Sequence, residues 1–365
     1  MAHILSYGSL NLDLVYQVPH FVQAGETLSS TSRTVHCGGK GLNAAARAGG
    51  TVSHAGKIGG DGTVLTDILR ESGVDTDFVT VGDGPSGHAV IQVGPSGQNC
   101  ILLFGGCNQE ITHEEIDRVL AHFQAGDYLI LQNEINGLDH LMTQAARRGL
   151  RIVFNPSPID VSISRLPLGE AWLLIFHEIE GAALAGCDDE EGILNTLRQR
   201  WPRCRLLLTL GSHGCVYDDG QRRLRQGNYQ VGTVDTTAAG DTFTGYFVAC
   251  MAAGRPEEEC LDLASRAAAI AVSRPGAAPS IPPWTRCSAA PSGEGSKSHT
   301  VNGPGEISGA MRFAEGEYRA FAADSSFFFC RRQKKKKAAG KSRPPEVISR
   351  KSTHRQNQTT HHRTR

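Results

Sequence analysis

Short segments that are apolar throughout alternate with helical segments over the first 284 residues of this 365-residue chain. A strand that is apolar on both faces must be covered on both sides, as strands of a parallel sheet between helices are. Of the helical segments, Thr112–Phe123 opens with a capping box, Thr112 followed by Glu115, and Asn43–Ala48 is alanine-rich and precedes two glycines. The alternation predicts an α/β fold around a buried parallel sheet. The predicted strands are His3–Ser9, Tyr128–Gln132, Arg151–Asn155, Ala171–Phe176 and Cys204–Leu210.

One stretch departs from this alternation and has the pattern of a β-hairpin. Ala89–Val93 and Asn99–Phe104 are both mainly apolar, and the turn sequence Gly94–Gly97 separates them. Together with Asp13–Val35, this hairpin is expected to form a small sheet that projects from the main domain. The lid predicted in this way covers residues 13–35 and 88–106.

The net charge of zero conceals two regions of opposite charge. Residues 285–365 carry 17 Lys and Arg against 6 Asp and Glu, so residues 1–284 have an acidic excess of the same size. An acidic body is a poor nucleic-acid surface. The tail, 285–365, is predicted to be disordered because it has too little apolar surface to offset the entropy of ordering. Its basic run Arg331–Lys337 also suits a nuclear-localisation signal or a nucleic-acid patch, and a non-native extension from altered splicing or a shifted frame is another alternative.

The chain has the features of a cytoplasmic protein. Its N-terminus lacks the basic region, apolar stretch and cleavage site of a secretory signal, and no run approaches the roughly 20 apolar residues of a membrane span. The ten cysteines include no C-x-x-C pair, and Cys204, Cys215 and Cys250 lie in apolar runs. Buried, reduced thiols are therefore expected.

The strongest chemical signal is the segment Asp235–Phe243, DTTAAGDTF, which precedes an apolar run. Small residues before a helix leave backbone N–H groups free at the positive end of its dipole, and such groups bind phosphate. The carboxylate of Asp241 can accept the proton of an attacking hydroxyl group. Ala238–Asp241 taken alone would favour an ordinary loop and N-cap, but together with the other motifs the segment predicts phosphoryl transfer.

A second glycine-rich segment, Gly38–Asn43 (GGKGLN), offers donors for hydroxyl groups from Lys40 and Asn43. It formally matches the dinucleotide fingerprint G-x-G-x-x-A, but the strand before it is poor, so a Rossmann oxidoreductase is disfavoured. Asn11 and Asp13 follow the first strand, at the edge where ligands bind in α/β sheets, or they are simple turn formers. Thr209–Gly214 (TLGSHG) is a glycine turn against which a nucleotide could lie.

Other enzyme classes lack their motifs. No G-x-x-x-x-G-K-[ST] is present, which disfavours a P-loop ATPase, and no G-x-S-x-G supports a serine hydrolase. His113–Glu115 lacks the second histidine of a zinc motif, and His177–Glu180 has no partner cluster.

Seven motifs in one order resemble the ribokinase-like carbohydrate kinase family, and the resemblance covers residues 1–284. They are GSLNLD (Gly8–Asp13), GETL (Gly25–Leu28), GGKGLN (Gly38–Asn43), LQNE (Leu131–Glu134), TLGSHG (Thr209–Gly214), DTTAAGDTF (Asp235–Phe243) and AAAIAVSRPGAAPSIP (Ala267–Pro282). The resemblance implies a doubly wound, mainly parallel sheet with helices on both faces, a β-sheet lid, and a homodimer formed through the lids. It also implies that ATP phosphorylates the 5-hydroxyl of D-ribose, with Mg²⁺ bound to ATP and an activating K⁺.

The resemblance further implies a role for each matching residue. Asp241 would be the base, and the anion hole would be Ala238, Ala239 and Gly240. The sugar would contact Asn11, Asp13, Gly39, Lys40, Asn43, Glu134 and Asp241. ATP would contact His177, Thr209, Gly211, Ser212, His213, Gly214, Gly240, Asp241 and Ser265. The monovalent cation would lie among Asp235, Thr237, Ala271, Arg274, Gly276 and Ser280, and Glu180 would lie near Mg²⁺ and phosphate.

Three features depart from the family's pattern. His177 replaces the asparagine of Asn-x-x-Glu, whereas Glu180 is kept, and Tyr246 replaces a small residue. The basic tail stands where the family has a C-terminal helix. Two alternatives to a ribose kinase stay open, namely another kinase of this fold, such as a fructokinase or nucleoside kinase, and a catalytically impaired variant that binds ligands.

Overall fold

The computed structural model describes residues 2–45, 50–96, 98–284, 287 and 299–301. These residues belong to one compact unit, Met1–Ser308. Most of the predicted tail, including the basic run Arg331–Lys337, lies outside the described residues.

Ten described strands form the main sheet. In spatial order they are β14 (His299–Val301), β13 (Arg223–Gln226), β12 (Cys215–Asp218), β11 (Arg205–Thr209), β10 (Leu173–His177), β9 (Arg151–Asn155), β8 (Tyr128–Gln132), β1 (Ile4–Tyr7), β4 (Val52–Ile58) and β5 (Asp75–Val81). The seven strands from β11 to β5 are mutually parallel, and β12 to β14 continue the sheet in antiparallel pairs. All five strands predicted from the sequence lie in the parallel part, so the predicted fold class is confirmed.

Helices cover both faces of this sheet because successive strand residues point to opposite sides. Ile4 belongs to one core and Leu5 to the other. The first core is covered by α1 (Lys40–Ala45), α2 (Thr63–Glu71), α7 (Ala239–Ala252) and α8 (Glu257–Val272). The second is covered by α3 (His113–Leu120), α4 (Leu138–Arg147), α5 (Glu178–Ala185) and α6 (Glu190–Arg200).

Two helix predictions can be compared with the structure directly. The capping box of α3 is present, since the Thr112 hydroxyl accepts from Glu115 N and the Glu115 carboxylate accepts from Thr112 N. The predicted start of α1 at Asn43 is wrong, because the helix already begins at Lys40. Gly39, with φ 97°, ends β3 (Ser32–Gly38) and allows the chain to enter the helix at once.

The predicted hairpin is confirmed as part of a separate four-stranded sheet. Its order is β3 (Ser32–Gly38), β2 (Asn11–Gln17), β6 (Gly87–Val93) and β7 (Asn99–Phe104). The β2–β6 pair is parallel, and the other two pairs are antiparallel. All six residues of the edge strand β7 are exposed. We call these four strands the lid sheet.

The described cysteines, nine in number, are all free, and Cys204, Cys215 and Cys250 are buried as predicted. Among the described residues, no helix combines the length and apolar composition that crossing a membrane requires.

Tyr246, one of the departures noted above, has a structural role at the end of the described domain. Its ring is 1% exposed in the middle of α7 and stacks on Trp284, with ring centroids 5.5 Å apart. Its hydroxyl donates to the carbonyl oxygen of Pro282 at 2.5 Å. Tyr246 therefore ties α7 to residues 282–284.

Replacing Tyr246 with Phe is expected to lower the free energy of unfolding by about 1 kcal/mol, because the buried Pro282 carbonyl loses its donor. Urea unfolding followed by circular dichroism measures this. Tyr217→Phe is the matched control, since the Tyr217 hydroxyl is also buried, beside Arg205, but donates to no main-chain carbonyl in the described residues, so its loss should be less destabilising. Equal destabilisation by both variants would contradict the assignment.

Candidate active site

The site is built where the loop after β1 crosses the start of α1. A Cβ added to Gly41 would lie 2.5 Å from the carbonyl carbon of Gly8, and one added to Gly39 would lie 2.6 Å from the carbonyl oxygen of Ser9. Leu42 N donates to the same Ser9 oxygen at 3.1 Å. No side chain larger than hydrogen fits at these glycines, so the Gly38–Asn43 segment places Lys40 and Asn43 at the carboxyl end of β1.

Lys40 and Asn43 both hold Asp241. Asn43 Nδ2 donates to Asp241 Oδ2 at 3.0 Å, and Lys40 Nζ lies 3.9 Å from Asp241 Oδ1. Asp241 is in the first turn of α7 and is 8% exposed. The N-cap of this helix is Ala238, not Asp241, and it makes no side-chain capping bond. The Asp241 carboxylate is thus held by two side chains from distant sequence rather than used to cap its own helix.

The start of α7 has the form of an anion site. Ala238, with φ 61°, is the single non-glycine residue with positive φ in the described part of the chain. Such a conformation is costly and is found where a functional site requires it. A Cβ added to Gly240 would meet no atom within 4 Å, so the space beside the helix start is open. Of the predicted anion hole, Ala239 N already donates to Thr236 O at 3.3 Å.

Two further carboxylates, those of Glu134 and Asp13, lie in the same pocket as Lys40 and Asp241. Glu134 accepts from the Ser9 hydroxyl and, at 3.2 Å, from Lys40 N. Asp13 packs on Gly38, where an added Cβ would lie 2.1 Å from Asp13 Oδ2. Burial most of all, and then the charges of Glu134 and Asp241, raise the pKa of Asp13 to about 7. Burial also raises the pKa of Glu134. The pocket therefore concentrates hydrogen-bond acceptors.

Lys40 is the cation that balances these acids. The charge of Asp241 raises the pKa of Lys40 most, and Glu134 and Glu180 add to it, against the opposing effect of burial. The lysine therefore stays charged inside the pocket. Together with Asn43, which donates, and Glu134, which accepts, Lys40 gives the pocket both kinds of group that bind hydroxyl groups.

Asn11, the last predicted sugar contact, is buried at the start of β2 and bonds a residue that the sequence reasoning missed. Asn11 Oδ1 accepts from Asn108 Nδ2 at 2.8 Å. No local pattern marks Asn108, because the two residues lie 97 positions apart.

The predicted nucleotide residues come together at the ends of β10 and β11, where His177 and Thr209 are register partners. The half-exposed His177 caps α5, since its Nδ1 accepts from Ile179 N at 3.1 Å. The buried Glu180 accepts from His177 N at 3.0 Å. The departure from asparagine therefore leaves the helix cap in place.

The turn after β11 and residue Ser265 differ in accessibility. Gly211 and Gly214 have positive φ, and a Cβ on Gly214 would lie 2.0 Å from Gln226 O. Between them, Ser212 and His213 are exposed. Ser265 is buried in α8 beside the Cys215 thiol, so the structure does not bring it to the open surface near this turn.

Asp235 joins the two loops predicted to hold a monovalent cation. Its carboxylate accepts from Thr237 N at 2.9 Å and from Gly276 N at 3.0 Å. Burial opposes ionisation of Asp235, but these hydrogen bonds outweigh it and hold the pKa below its ordinary value. The second loop follows α8. At its start, Arg274 N donates to O of Ala271 in the last turn of that helix, and further on the Ser280 hydroxyl donates to Ala277 O.

Two cavities in the described part of the chain lie away from this site. A cavity of about 390 Å³ lies beside α3 and β5, and its Glu115 is already bonded to Lys57 and Thr112. No cluster of three or more His, Cys, Asp or Glu side chains suited to a metal ion occurs in the described ranges.

Comparison with known proteins gives a consistent result. The profile of the pfkB family of carbohydrate kinases matches residues 1–284. A ribokinase of Haemophilus influenzae is 33% identical over 288 residues, covering 75% of this chain and 94% of the relative. A ribokinase of Bacillus subtilis is 32% identical over 292 residues, covering 77% and 97%.

Solved structures agree with the sequence relatives. The ribokinase of Thermotoga maritima has a TM-score of 0.71 and 29% identity, covering 79% of this chain and 99% of that one. The ribokinase of Arabidopsis thaliana, solved with ribose and ATP, has a TM-score of 0.70 and 27% identity, covering 78% and 97%.

The raised pKa of Asp13 predicts a pH-dependent stability. The folded state binds the Asp13 proton more tightly than the unfolded chain, so this residue increasingly destabilises the ligand-free protein as pH rises from about 4 to its folded pKa of about 7. Because Asn mimics the neutral acid, Asp13→Asn should raise the melting temperature relative to wild type at pH 8 and much less at pH 5. Differential scanning calorimetry measures the melting temperature of wild type and variant at each pH. The same substitution at the exposed Asp188 is the control, and an equal pH trend there would contradict the prediction.

Proposed function

Because this chain belongs to the pfkB family of carbohydrate kinases, we propose that it acts as an ATP-dependent ribose kinase that forms D-ribose 5-phosphate and ADP. The observation that carries the proposal is the Asp241 carboxylate, which is held by Asn43 and Lys40 at the amino end of α7. A base beside an anion site is the arrangement that phosphoryl transfer to a hydroxyl group requires.

The reaction follows from these positions. Asp241 takes the proton of the sugar's primary hydroxyl as its oxygen attacks the γ-phosphorus of ATP, and the bond from that phosphorus to the β-γ bridging oxygen breaks. The electron pair leaves with ADP. Backbone N–H groups at the start of α7, in the segment Ala238–Gly240, stabilise the charge on the transferred group. The hydrogen bond from Asn43 keeps the carboxylate oriented towards the substrate.

A sugar suits the acceptor side because the pocket is crowded with polar groups. Asp13 and Glu134 offer acceptors, whereas Lys40 and Asn43 offer donors, all within one cleft. Sugar hydroxyls donate and accept at once, so they can use both kinds of group. Ribose is the specific proposal, supported by the ribokinase relatives and by the Arabidopsis enzyme solved with ribose and ATP.

ATP, Mg²⁺ and K⁺ are proposed as the cofactors. ATP would lie along the turn Thr209–Gly214 and beside His177, and Mg²⁺ would accompany its phosphates near Glu180. Asp235 and the backbone carbonyl groups of the two loops that it joins are hard oxygen ligands, which fits K⁺. Bound there, K⁺ would supply positive charge and order beside the anion site.

A homodimer through the lid sheet is also proposed. The edge strand β7 exposes Ile101, Leu102, Leu103 and Phe104, and an uncovered apolar edge strand tends to pair with another chain. A groove of about 280 Å³ on the same sheet is lined by Tyr16, Val18, Val22, Leu28 and Val90. A second copy's lid offers the same apolar surface and would cover both in a closed, symmetric pair.

Placing a charge on β7 is expected to shift the dimer towards monomer. Leu102, 71% exposed, would become a buried charge in the interface, so Leu102→Glu should reduce the sedimentation coefficient at micromolar concentration. Val161→Glu is the matched control, since Val161 is apolar and 81% exposed but lies in the main domain. A wild-type monomer, or equal behaviour of the two variants, would contradict the lid interface.

The substrate is tested by ADP release, coupled to NADH oxidation, over ribose, deoxyribose, fructose and adenosine. Ribose is expected to give the highest kcat/KM, with turnover that requires Mg²⁺ and rises with K⁺. Preference for fructose or adenosine would support another kinase of this fold. ATP or sugar binding without turnover would support the impaired, ligand-binding alternative.

Asp241→Asn should lower kcat by about 100- to 10,000-fold, because the amide cannot take the hydroxyl proton. The KM for the sugar should change little, since the amide keeps a hydrogen-bonding group beside Asn43. Asp139→Asn is the control, as Asp139 is also acidic in the first turn of a helix but is exposed on α4. Near-normal kcat in the Asp241 variant would remove it from the role of base.

The location of the protein stays a prediction. A cytoplasmic kinase is expected, and nuclear import would depend on the run Arg331–Lys337, which lies outside the described residues. Microscopy of two fluorescently tagged proteins, one with all 365 residues and one ending at Trp284, would distinguish cytoplasmic from nuclear location.

A further inference from the structure

Asn108 is a buried side chain whose orientation is set by the main chain. It lies in the turn Gly106–Gln109 after the lid strand β7 and is 1% exposed. Leu10 N, which can only donate, lies 3.1 Å from Asn108 Oδ1. The other branch of the amide, Nδ2, therefore donates to Leu10 O at 3.3 Å and to Asn11 Oδ1 at 2.8 Å.

This orientation fixes the amide of Asn11 in turn. Because Asn108 Nδ2 is a donor, the atom of Asn11 that faces it must be the acceptor, Oδ1. The Nδ2 group of Asn11 is then turned away from Asn108. It has no hydrogen-bond partner within the described ranges, so Asn11 keeps a donor free for a ligand.

The pair lies where the lid sheet leaves the main domain. Asn11 begins β2 and is paired with Gly38 of β3 and Gly87 of β6. A Cβ added to Gly87 would lie 2.1 Å from Asn108 Nδ2 and 2.3 Å from Asn11 Oδ1, so the lid strand packs directly on this hydrogen bond.

The same turn also contacts the loop that carries Glu134. Asn136 N donates to Asn108 O at 3.3 Å, and Gln109 Nε2 donates to Glu134 O at 2.9 Å. The turn Gly106–Gln109 therefore bonds the Leu10–Asn11 segment and the main chain of the loop after Glu134, and does so at the base of the lid, while the Asn136 side chain points to Ile111 instead.

We propose that Asn108 is a positioning residue for sugar binding, which rests on the sugar-kinase function proposed above. It holds the Asn11 amide with Nδ2 as a donor to a sugar hydroxyl oxygen. It does so without touching the sugar, through a chain of bonds that starts at the Leu10 N–H group. Asn108 thus acts on specificity by deciding whether Asn11 presents a donor or an acceptor.

Asn108→Asp tests this with the smallest change in shape. One carboxylate oxygen can still accept from Leu10 N, but the other would face two acceptors, Leu10 O and Asn11 Oδ1. Turning the Asn11 amide over relieves the second clash. The sugar hydroxyl oxygen then loses its donor and faces one more acceptor, although its single proton can serve only one of the acceptors in the pocket. The KM for the sugar should rise about tenfold or more, the cost of an unpaired buried group, whereas the KM for ATP should stay within about twofold.

Asn136→Asp is the matched control. Like Asn108 with Leu10, the Asn136 side chain bonds both main-chain groups of one residue. It accepts from Ile111 N at 3.0 Å and donates to Ile111 O at 2.8 Å. It makes no bond to Asn11. This variant also loses a donor to a carbonyl oxygen, but its sugar KM should stay within about twofold of wild type.

A double-mutant cycle with Asn11→Ala and Asn108→Ala covers the case in which Asn108→Asp does not fold. If Asn108 acts through Asn11, the double variant should have the sugar KM of Asn11→Ala alone. Additive effects would overturn the proposal, as would a sugar KM for Asn108→Asp equal to that of Asn136→Asp. The sugar used is the one that the wild type phosphorylates best. If the wild type phosphorylates another sugar in place of ribose, only the proposed substrate is wrong. If it phosphorylates no sugar, both the proposed function and the role of Asn108 are overturned.

Discussion

The site depends on the close crossing of two main-chain segments. Gly8 and Gly41 lie so near each other that no Cβ fits between them, and Gly39 reaches the Ser9 carbonyl in a conformation that favours glycine. Any larger residue here would push α1 away from β1. Because α1 carries Lys40 and Asn43, a shift of that helix would also remove both groups that hold Asp241. The contact thus determines whether the base is positioned at all.

Crowding of like charges is the cost of this pocket. Asp13, Glu134 and Asp241 lie together with Lys40 as their main cation, and burial raises the pKa of Asp13 and of Glu134. Such an arrangement does not favour the ligand-free fold, since acids that resist ionisation oppose stability at neutral pH. It is useful when hydroxyl groups bind, because they supply further hydrogen-bond donors to these acceptors. Strain at Ala238 and electrostatic repulsion are therefore concentrated where the ligand is proposed to bind.

Two departures from the family's pattern are accommodated by local chemistry. The ring nitrogen Nδ1 of His177 accepts the same kind of N-cap hydrogen bond that an asparagine oxygen would accept, so α5 still begins at Glu178 and Glu180 keeps its bond to His177 N. The Tyr246 ring stacks on Trp284, and its hydroxyl donates to the carbonyl oxygen of Pro282. Neither substitution disturbs the contacts among Lys40, Asn43 and Asp241.

The parallel sheet, the hairpin of the lid and the loop with Asp241 could be predicted from the sequence, because hydrophobic periodicity, glycine turns and a helix start are local patterns. Lys40 and Asn43 were also among the predicted site residues. The groups that hold Asp241 became visible only in the folded protein, since Asn43 lies 198 residues away from it. The same applies to Asn108, which looks like any turn residue until folding brings it to Asn11, and to Ser265, which lies buried against Cys215. Contacts between residues far apart in the chain leave no periodic trace in one sequence, so they exist only once the sheet and helices have packed.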